Sequence, residues 1–148
     1  EEHEKKEIKE ASIKGVNVLL AEDNELNMEI AEFVLESAGA NVIKAFNGKE
    51  AVEIFKESKP GEINIILMDV MMPEMDGIET LGHIRSMGGK FETLPVIALT
   101  ANVMTGARER YINAGFTDFL EKPIKPSKLD EMLFAYLPKE KLEHKSDD

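Results

Sequence analysis

The sequence contains no cysteine and no tryptophan. Without a thiol there is no disulfide scaffold, no thiolate zinc site and no cysteine nucleophile. The three histidines, His3, His83 and His144, are scattered, so no histidine pair is available to a soft or borderline metal. No apolar run approaches the roughly 20 residues that span a bilayer. The charged N-terminus also lacks the apolar core of a signal peptide. The expectation is a soluble, cytoplasmic chain with no membrane contact of its own. Cations are in the minority: 18 Lys plus Arg against 29 Asp plus Glu give a formal net charge of −11. Direct nucleic-acid binding needs a basic footprint that this composition does not supply. An acidic balance fits the handling of cations, a basic partner surface or plain solubility. At 148 residues, 43% of them hydrophobic, the chain suits one domain with a sizeable core.

Residues 1–14 (EEHEKKEIKEASIK) read as a charged lead-in or linker, 15–137 as the folded part and 138–148 as a polar tail. Within the folded part, strand-like and helix-like segments alternate. Val16 to Ala21 is a short apolar run. Leu26, Ile30, Phe33, Val34 and Ala38 then recur at helical spacing, with Gly39 as the stop. Asn41 to Phe46 reads as a second strand, and Asn47 with Glu50 resembles a capping box opening a helix that Pro60-Gly61 breaks. Ile63 to Met68 is the most continuous apolar run and suits a strand buried on both faces. A loop containing Pro73 follows, then a helix between Asp76-Gly77 and Gly88-Gly89. Pro95 to Leu99 is a fourth strand, Thr105 to Ala114 a helix, and Phe116 to Leu120 a fifth strand. Ser127 is positioned to cap a last helix running to Leu137. Five such βα units imply a parallel sheet covered on both faces, with ligands outside the carboxyl ends of the strands.

Those ends are rich in hard polar groups. The first strand runs into Glu22 and Asp23, the third into Asp69 and the fourth into Thr100, and Lys122 follows the fifth. Each has an ordinary alternative: helix-start anions, a turn residue, a helix cap, a loop lysine. Their joint placement on one sheet edge is what points to function. Three converging carboxylates repel one another, and a hard divalent cation such as Mg²⁺ would relieve that.

The segments LLAEDN (19–24), ILMDVMMPEMDG (66–77), ALTAN (98–102) and FLEKPI (119–124) resemble, in order and spacing, the receiver domain of two-component response regulators. The likeness runs from about residue 15 to residue 137. It implies a flavodoxin-like, doubly wound α/β fold, with a five-stranded parallel sheet of order 2-1-3-4-5 and five helices. It implies that Asp69 is the phosphoacceptor for a phosphohistidine donor. Asp23, Asp69 and the Met71 backbone carbonyl would bind Mg²⁺, with Glu22 assisting through water. Lys122 would pair with the phosphoryl oxygens, and Thr100 would hydrogen-bond one of them after transfer. Phe119, where many members carry Tyr, would be the aromatic switch, and the Lys122–Pro123 bond would be cis. The implied partners are a histidine kinase or a histidine phosphotransfer protein, docked through Asn27, Ile30 and the loop after Lys122. Leu26 belongs either to that surface or to the core. Residues 104–137 would form the output face.

The chain opens on Glu1 and carries a short polar stretch after Leu137. Together with AEDNELNMEIAEFVLESAG, this gives the expectation of a receiver from a hybrid sensor histidine kinase. The alternative is a stand-alone response regulator. A domain of this kind would catalyse its own phosphorylation and slow dephosphorylation without being a turnover enzyme. Readings from other classes fit less well. A Mg²⁺-dependent aspartyl phosphohydrolase commonly carries a second carboxylate two residues after the nucleophile, where this chain has Met71. A flavin protein of this topology would need aromatics to sandwich the ring, and its first loop would have to cradle phosphate rather than present Glu22 and Asp23. An interaction-only receiver would lack an acceptor, metal or lysine residue, and none is missing.

Overall fold

The apolar run before Asp69 forms the middle of the sheet. In the computed structural model, which describes residues 15–59, 61–72, 75–87, 94–101 and 106–137, every residue of β3 (Ile65–Asp69) is buried. β3 lies between β1 (Asn17–Ala21) and β4 (Val96–Thr100), with β2 (Asn41–Ala45) and β5 (Asp118–Glu121) at the edges. All four pairings are parallel and the order is 2-1-3-4-5. Among the described residues there are five helices, four between successive strands and one after the last: α1 (Glu25–Ser37), α2 (Gly48–Glu57), α3 (Gly77–Arg85), α4 (Ala107–Ala114) and α5 (Pro126–Tyr136). The lead-in 1–14 and the tail 138–148 lie outside the described residues, as do Pro60, Pro73, Gly88, Gly89, Asn102 and Thr105.

Alternation along the strands builds two cores. Val18, Leu20, Leu67 and Leu99 pack with Met28 and Leu35 of α1 and Leu129 and Leu133 of α5. Leu19, Ile66, Met68 and Ala98 face the other way, onto Phe55, Leu81, Ile84 and Tyr111 of α2, α3 and α4. Both faces of the inner strands are therefore covered, as parallel sheets require.

Helix starts follow local chemistry. Asn24, Asn47 and Asp76 each cap a helix by accepting a hydrogen bond from the backbone N–H of Asn27, Glu50 and Glu79, at 2.9, 2.8 and 2.8 Å. Glu50 reaches back to the N–H of Phe46 (2.9 Å), one residue before the cap. The expectation for Ser127 is corrected: α5 begins at Pro126, and Ser127 sits inside its first turn. Proline is pre-organised for that first helical position and lacks the N–H that a cap would satisfy. The fifth strand also starts later than expected. Phe116 is buried ahead of it, and Thr117 bridges to Val96 by accepting its N–H (3.0 Å).

The helical spacing expected in α1 splits between two faces: Val34 and Ala38 pack against the core, while Leu26, Ile30 and Phe33 do not. Its buried residues are Met28, Ala31 and Leu35, whereas Leu26 and Phe33 are 65% and 73% exposed and Ile30 is 39% exposed. Leu26 is therefore a surface residue.

Candidate functional site

Strand ends deliver the side chains. Asp69 closes β3 and Thr100 closes β4, both buried; Glu22 follows β1 and is buried; Asp23 beside it is exposed. Main-chain bonds fix these ends relative to one another: Glu22 N–H to the Ala45 carbonyl (3.0 Å), Val70 N–H to Leu99 (3.1 Å) and Lys122 N–H to Thr100 (2.9 Å). The Lys122–Pro123 peptide bond is cis.

Carboxylate oxygens of Glu22, Asp23 and Asp69 all lie within 4.8 Å of one another. The Lys122 ammonium donates to Asp69 Oδ2 at 3.0 Å and to Glu22 Oε1 at 3.4 Å. The other oxygens are held by backbone: Asp69 Oδ1 accepts from Met71 N–H (3.0 Å), and Glu22 Oε2 accepts from Asn24 N–H (3.1 Å). Burial pushes the Glu22 carboxyl up to about 7, and a hydrogen bond with Asp69 pushes the same way. Burial acts to lower the Lys122 ammonium, but its bonds to Asp69 and then Glu22 outweigh that and hold it above its ordinary value. Two of the three carboxylates, Glu22 and Asp69, share one ammonium, and Glu22 is driven toward holding a proton. Such an all-oxygen donor set fits a hard cation such as Mg²⁺.

The structure thus gathers Glu22, Asp23, Asp69 and Lys122. Met71 adjoins them through its amide, while its side chain is exposed. Thr100 stands at the same edge with its hydroxyl 2.9 Å from the Tyr111 hydroxyl. Phe119 is half-buried, its ring centroid 6.0 Å from that of Tyr111. Asn27 and Ile30 line a cavity of about 310 Å³ together with Glu22, Ala101, Lys122 and Pro123, so the proposed docking residues adjoin the acidic cluster. Sequence reasoning missed Tyr111. It lies in the polar segment ARERYINA, eleven residues after Thr100, and no spacing rule pairs the two.

This arrangement belongs to a signalling class. The chain is a member of the response regulator receiver domain family, whose defining pattern matches residues 18–134. Over 119 residues it is 40% identical to the aerobic respiration control sensor protein ArcB of Escherichia coli, a match covering 80% of this chain and 15% of that protein. The chain thus spans only a small part of that relative's length. Among solved structures it is similar to the receiver domain of a sensor histidine kinase from Pseudomonas aeruginosa, with magnesium coordinated in its active-site cleft. The TM-score there is 0.73 at 35% identity, covering 82% of this chain and 97% of that one. It is also similar to the receiver domain of a Saccharomyces cerevisiae response regulator, co-crystallised with its histidine phosphotransfer protein. In that case the TM-score is 0.72 at 29% identity, covering 84% of this chain and 90% of that one. No helix among the described residues is long and apolar enough to cross a membrane.

Proposed function

We propose that this receiver domain is a phosphoacceptor switch in which Asp69 takes a phosphoryl group from a phosphohistidine and then relays it or signals by it. One observation carries the reading: the buried Asp69 carboxylate has one oxygen on the Met71 amide and the other 3.0 Å from the Lys122 ammonium. An Asp69 oxygen supplies the electron pair for the new O–P bond while the N–P bond of the donor breaks. The imidazole leaves with the electron pair of the broken N–P bond and takes up a proton from solvent. Lys122 offsets the charge on the phosphoryl oxygens, and Thr100 hydrogen-bonds one of them. Glu22, Asp23, Asp69 and the Met71 carbonyl would hold Mg²⁺, Glu22 through water; when bound, the ion supplies neutralising charge to the phosphoryl group. Met71, two residues after Asp69, has no proton to give, so rapid hydrolytic turnover is not expected. Phe119 is the switch aromatic of β5.

The donor is a histidine kinase or a histidine phosphotransfer protein, docked at Asn27 and Ile30 beside the cavity that reaches Lys122. The yeast complex supports this choice of partner, and the likeness to sensor kinases supports a hybrid-kinase origin in the cytoplasm. The test is labelling with acetyl phosphate and Mg²⁺, followed by intact mass. A single addition of about 80 Da that needs Mg²⁺ and disappears in Asp69→Ala is expected. No addition from acetyl phosphate or from a phosphorylated phosphotransfer protein overturns the reading.

A further inference from the structure

Thr100 and Tyr111 form a buried hydroxyl pair. Their oxygens lie 2.9 Å apart, and the residues are 4% and 1% exposed. The Tyr111 ring packs edge-on against Phe116 at 6.3 Å and tilted against Phe119 at 6.0 Å. On its outer side, the Arg110 guanidinium lies 5.2 Å from the ring centroid, with Nη2 3.3 Å from the tyrosine hydroxyl. Tyr111 therefore touches the end of β4, the aromatic of β5 and the surface of α4 at once. Phe119 has no hydroxyl; the phenol that bonds Thr100 in this chain comes from α4.

A hydroxyl has one proton to donate. A phosphoryl oxygen on Asp69 is a charged acceptor, and hydrogen bonds to charged groups are about twice as strong as neutral ones. Turning the Thr100 hydroxyl onto that oxygen draws it away from the phenol, whichever of the two hydroxyls is the donor in the pair. A buried phenol that loses its partner must find another, because leaving it unpaired is costly. Arg110 already donates to the phenol oxygen at 3.3 Å and remains its partner when Thr100 leaves, which anchors the displaced phenol toward the outer face of α4.

We propose that Tyr111 is a positioning residue: its hydroxyl holds Thr100 toward α4 before phosphorylation, and the phosphoryl group on Asp69 breaks that bond and so carries the change into α4. This rests on the reading of Asp69 as phosphoacceptor and of Thr100 as the hydroxyl that closes on the phosphoryl group.

The test is a titration with beryllofluoride, a phosphoryl mimic at carboxylates, in the presence of Mg²⁺, with bound fluoride read by ¹⁹F NMR. The four proteins are wild type, Tyr111→Phe, Thr100→Ala and the double variant. Tyr111→Phe removes the phenol's restraint on Thr100 and leaves any other Thr100 contact in place, so it is expected to bind about three- to tenfold more tightly than wild type. In the Thr100→Ala background the same change is expected to do nothing. Equal or weaker binding by Tyr111→Phe, or the same gain without Thr100, overturns the proposal. A second readout keeps the hydroxyl in place. The chain has two tyrosines, so in Tyr136→Phe the near-ultraviolet circular dichroism of tyrosine reports on Tyr111 alone. That signal is expected to change on beryllofluoride binding and to stay unchanged in Asp69→Ala. An unchanged signal in protein with bound fluoride overturns the proposal while leaving the phosphoacceptor reading intact. No fluoride binding and no 80 Da addition overturns the phosphoacceptor reading and this proposal with it.

Discussion

Lys122 Nζ stands 3.0 Å from Asp69 Oδ2, although the two residues are 53 positions apart in the chain. The sheet accounts for this. β3 and β5 both flank β4, Asp69 pairs with Leu99 and Glu121 pairs with Thr100, so the residue after β5 emerges beside the end of β3. The ammonium also reaches Glu22, at 3.4 Å, and one cation is left serving two buried carboxylates. The site is thus assembled with negative charge in excess, held there by main-chain geometry rather than by local charge balance.

Replacing Lys122 with Met should separate these roles. The variant loses the ammonium that neutralises phosphoryl oxygens, so labelling of Asp69 by acetyl phosphate should fall by about 100-fold or more. Mg²⁺ should bind at least as tightly as in wild type, because a competing cation has been removed from the same carboxylates. Intact-mass time courses and Mg²⁺ titrations check the two halves. Weakened Mg²⁺ binding would show that Lys122 organises the cluster rather than the phosphoryl group.

Glu22 makes the metal-free protein sensitive to pH. Its carboxyl is raised from 4.5 to about 7, by burial first and then by Asp69. The folded state therefore holds a proton that the unfolded chain releases. The corresponding stability is fully present below about 4.5 and is lost as pH rises through about 7. In EDTA the melting temperature should fall across that window. Saturating Mg²⁺ should reverse the fall, because the ion displaces the proton, and its affinity should rise with pH over the same range. Thermal melts of wild type and Glu22→Gln, with and without Mg²⁺, check this; a Glu22→Gln profile with the wild-type slope would remove Glu22 as the cause.

The strand ends were legible in the sequence because parallel strands buried on both faces read as continuous apolar runs, and each run stops abruptly at a polar residue. Ile65 to Met68 followed by Asp69 is the clearest case. Side-chain direction was less legible. Of the spaced set, Val34 and Ala38 pack on the core, but Leu26, Ile30 and Phe33 are exposed, and α1 fully buries the interleaved Met28, Ala31 and Leu35. Periodicity reports a stripe without saying whether the core or a partner covers it. Tyr111 was illegible for another reason: its partner Thr100 lies on a different element, at the end of β4, and only the packing of α4 on the sheet brings the hydroxyls together.

Gly77 ties the third helix to the phosphoacceptor strand. A Cβ there would lie 2.6 Å from the Asp69 carbonyl oxygen and 2.8 Å from Val70 Cα. Both are backbone atoms that cannot rotate away, and the Gly77 N–H also bonds the Val70 carbonyl at 2.9 Å. Gly77→Ala should therefore push α3 off the end of β3, at a cost of about 1–3 kcal/mol. Labelling of Asp69 should slow as well, because its carboxylate is held by the Met71 amide in the same segment. Urea denaturation together with labelling rates checks both effects. Lost stability with normal labelling would show that the site tolerates displacement of α3.

The exposed stripe on α1 gives a prediction that separates docking from chemistry. Ile30 and Asn27 line the cavity that reaches Glu22 and Lys122. Ile30→Glu places a charge on an apolar surface that already carries Leu26 and Phe33. Transfer from a phosphorylated histidine phosphotransfer protein should drop by about tenfold or more, since apolar anchors at interface centres commonly cost over 1 kcal/mol when lost. Asn27→Ala should lower it less. Labelling by acetyl phosphate, which needs no docking surface, should stay within about twofold of wild type for both variants, a difference of only some tenths of a kcal/mol. The comparison is decisive because the two donors share Asp69 and Lys122, and only the protein donor uses α1. Equal losses with both donors would mean that these residues act on the site itself, and unchanged transfer from the protein donor would place docking elsewhere on the domain.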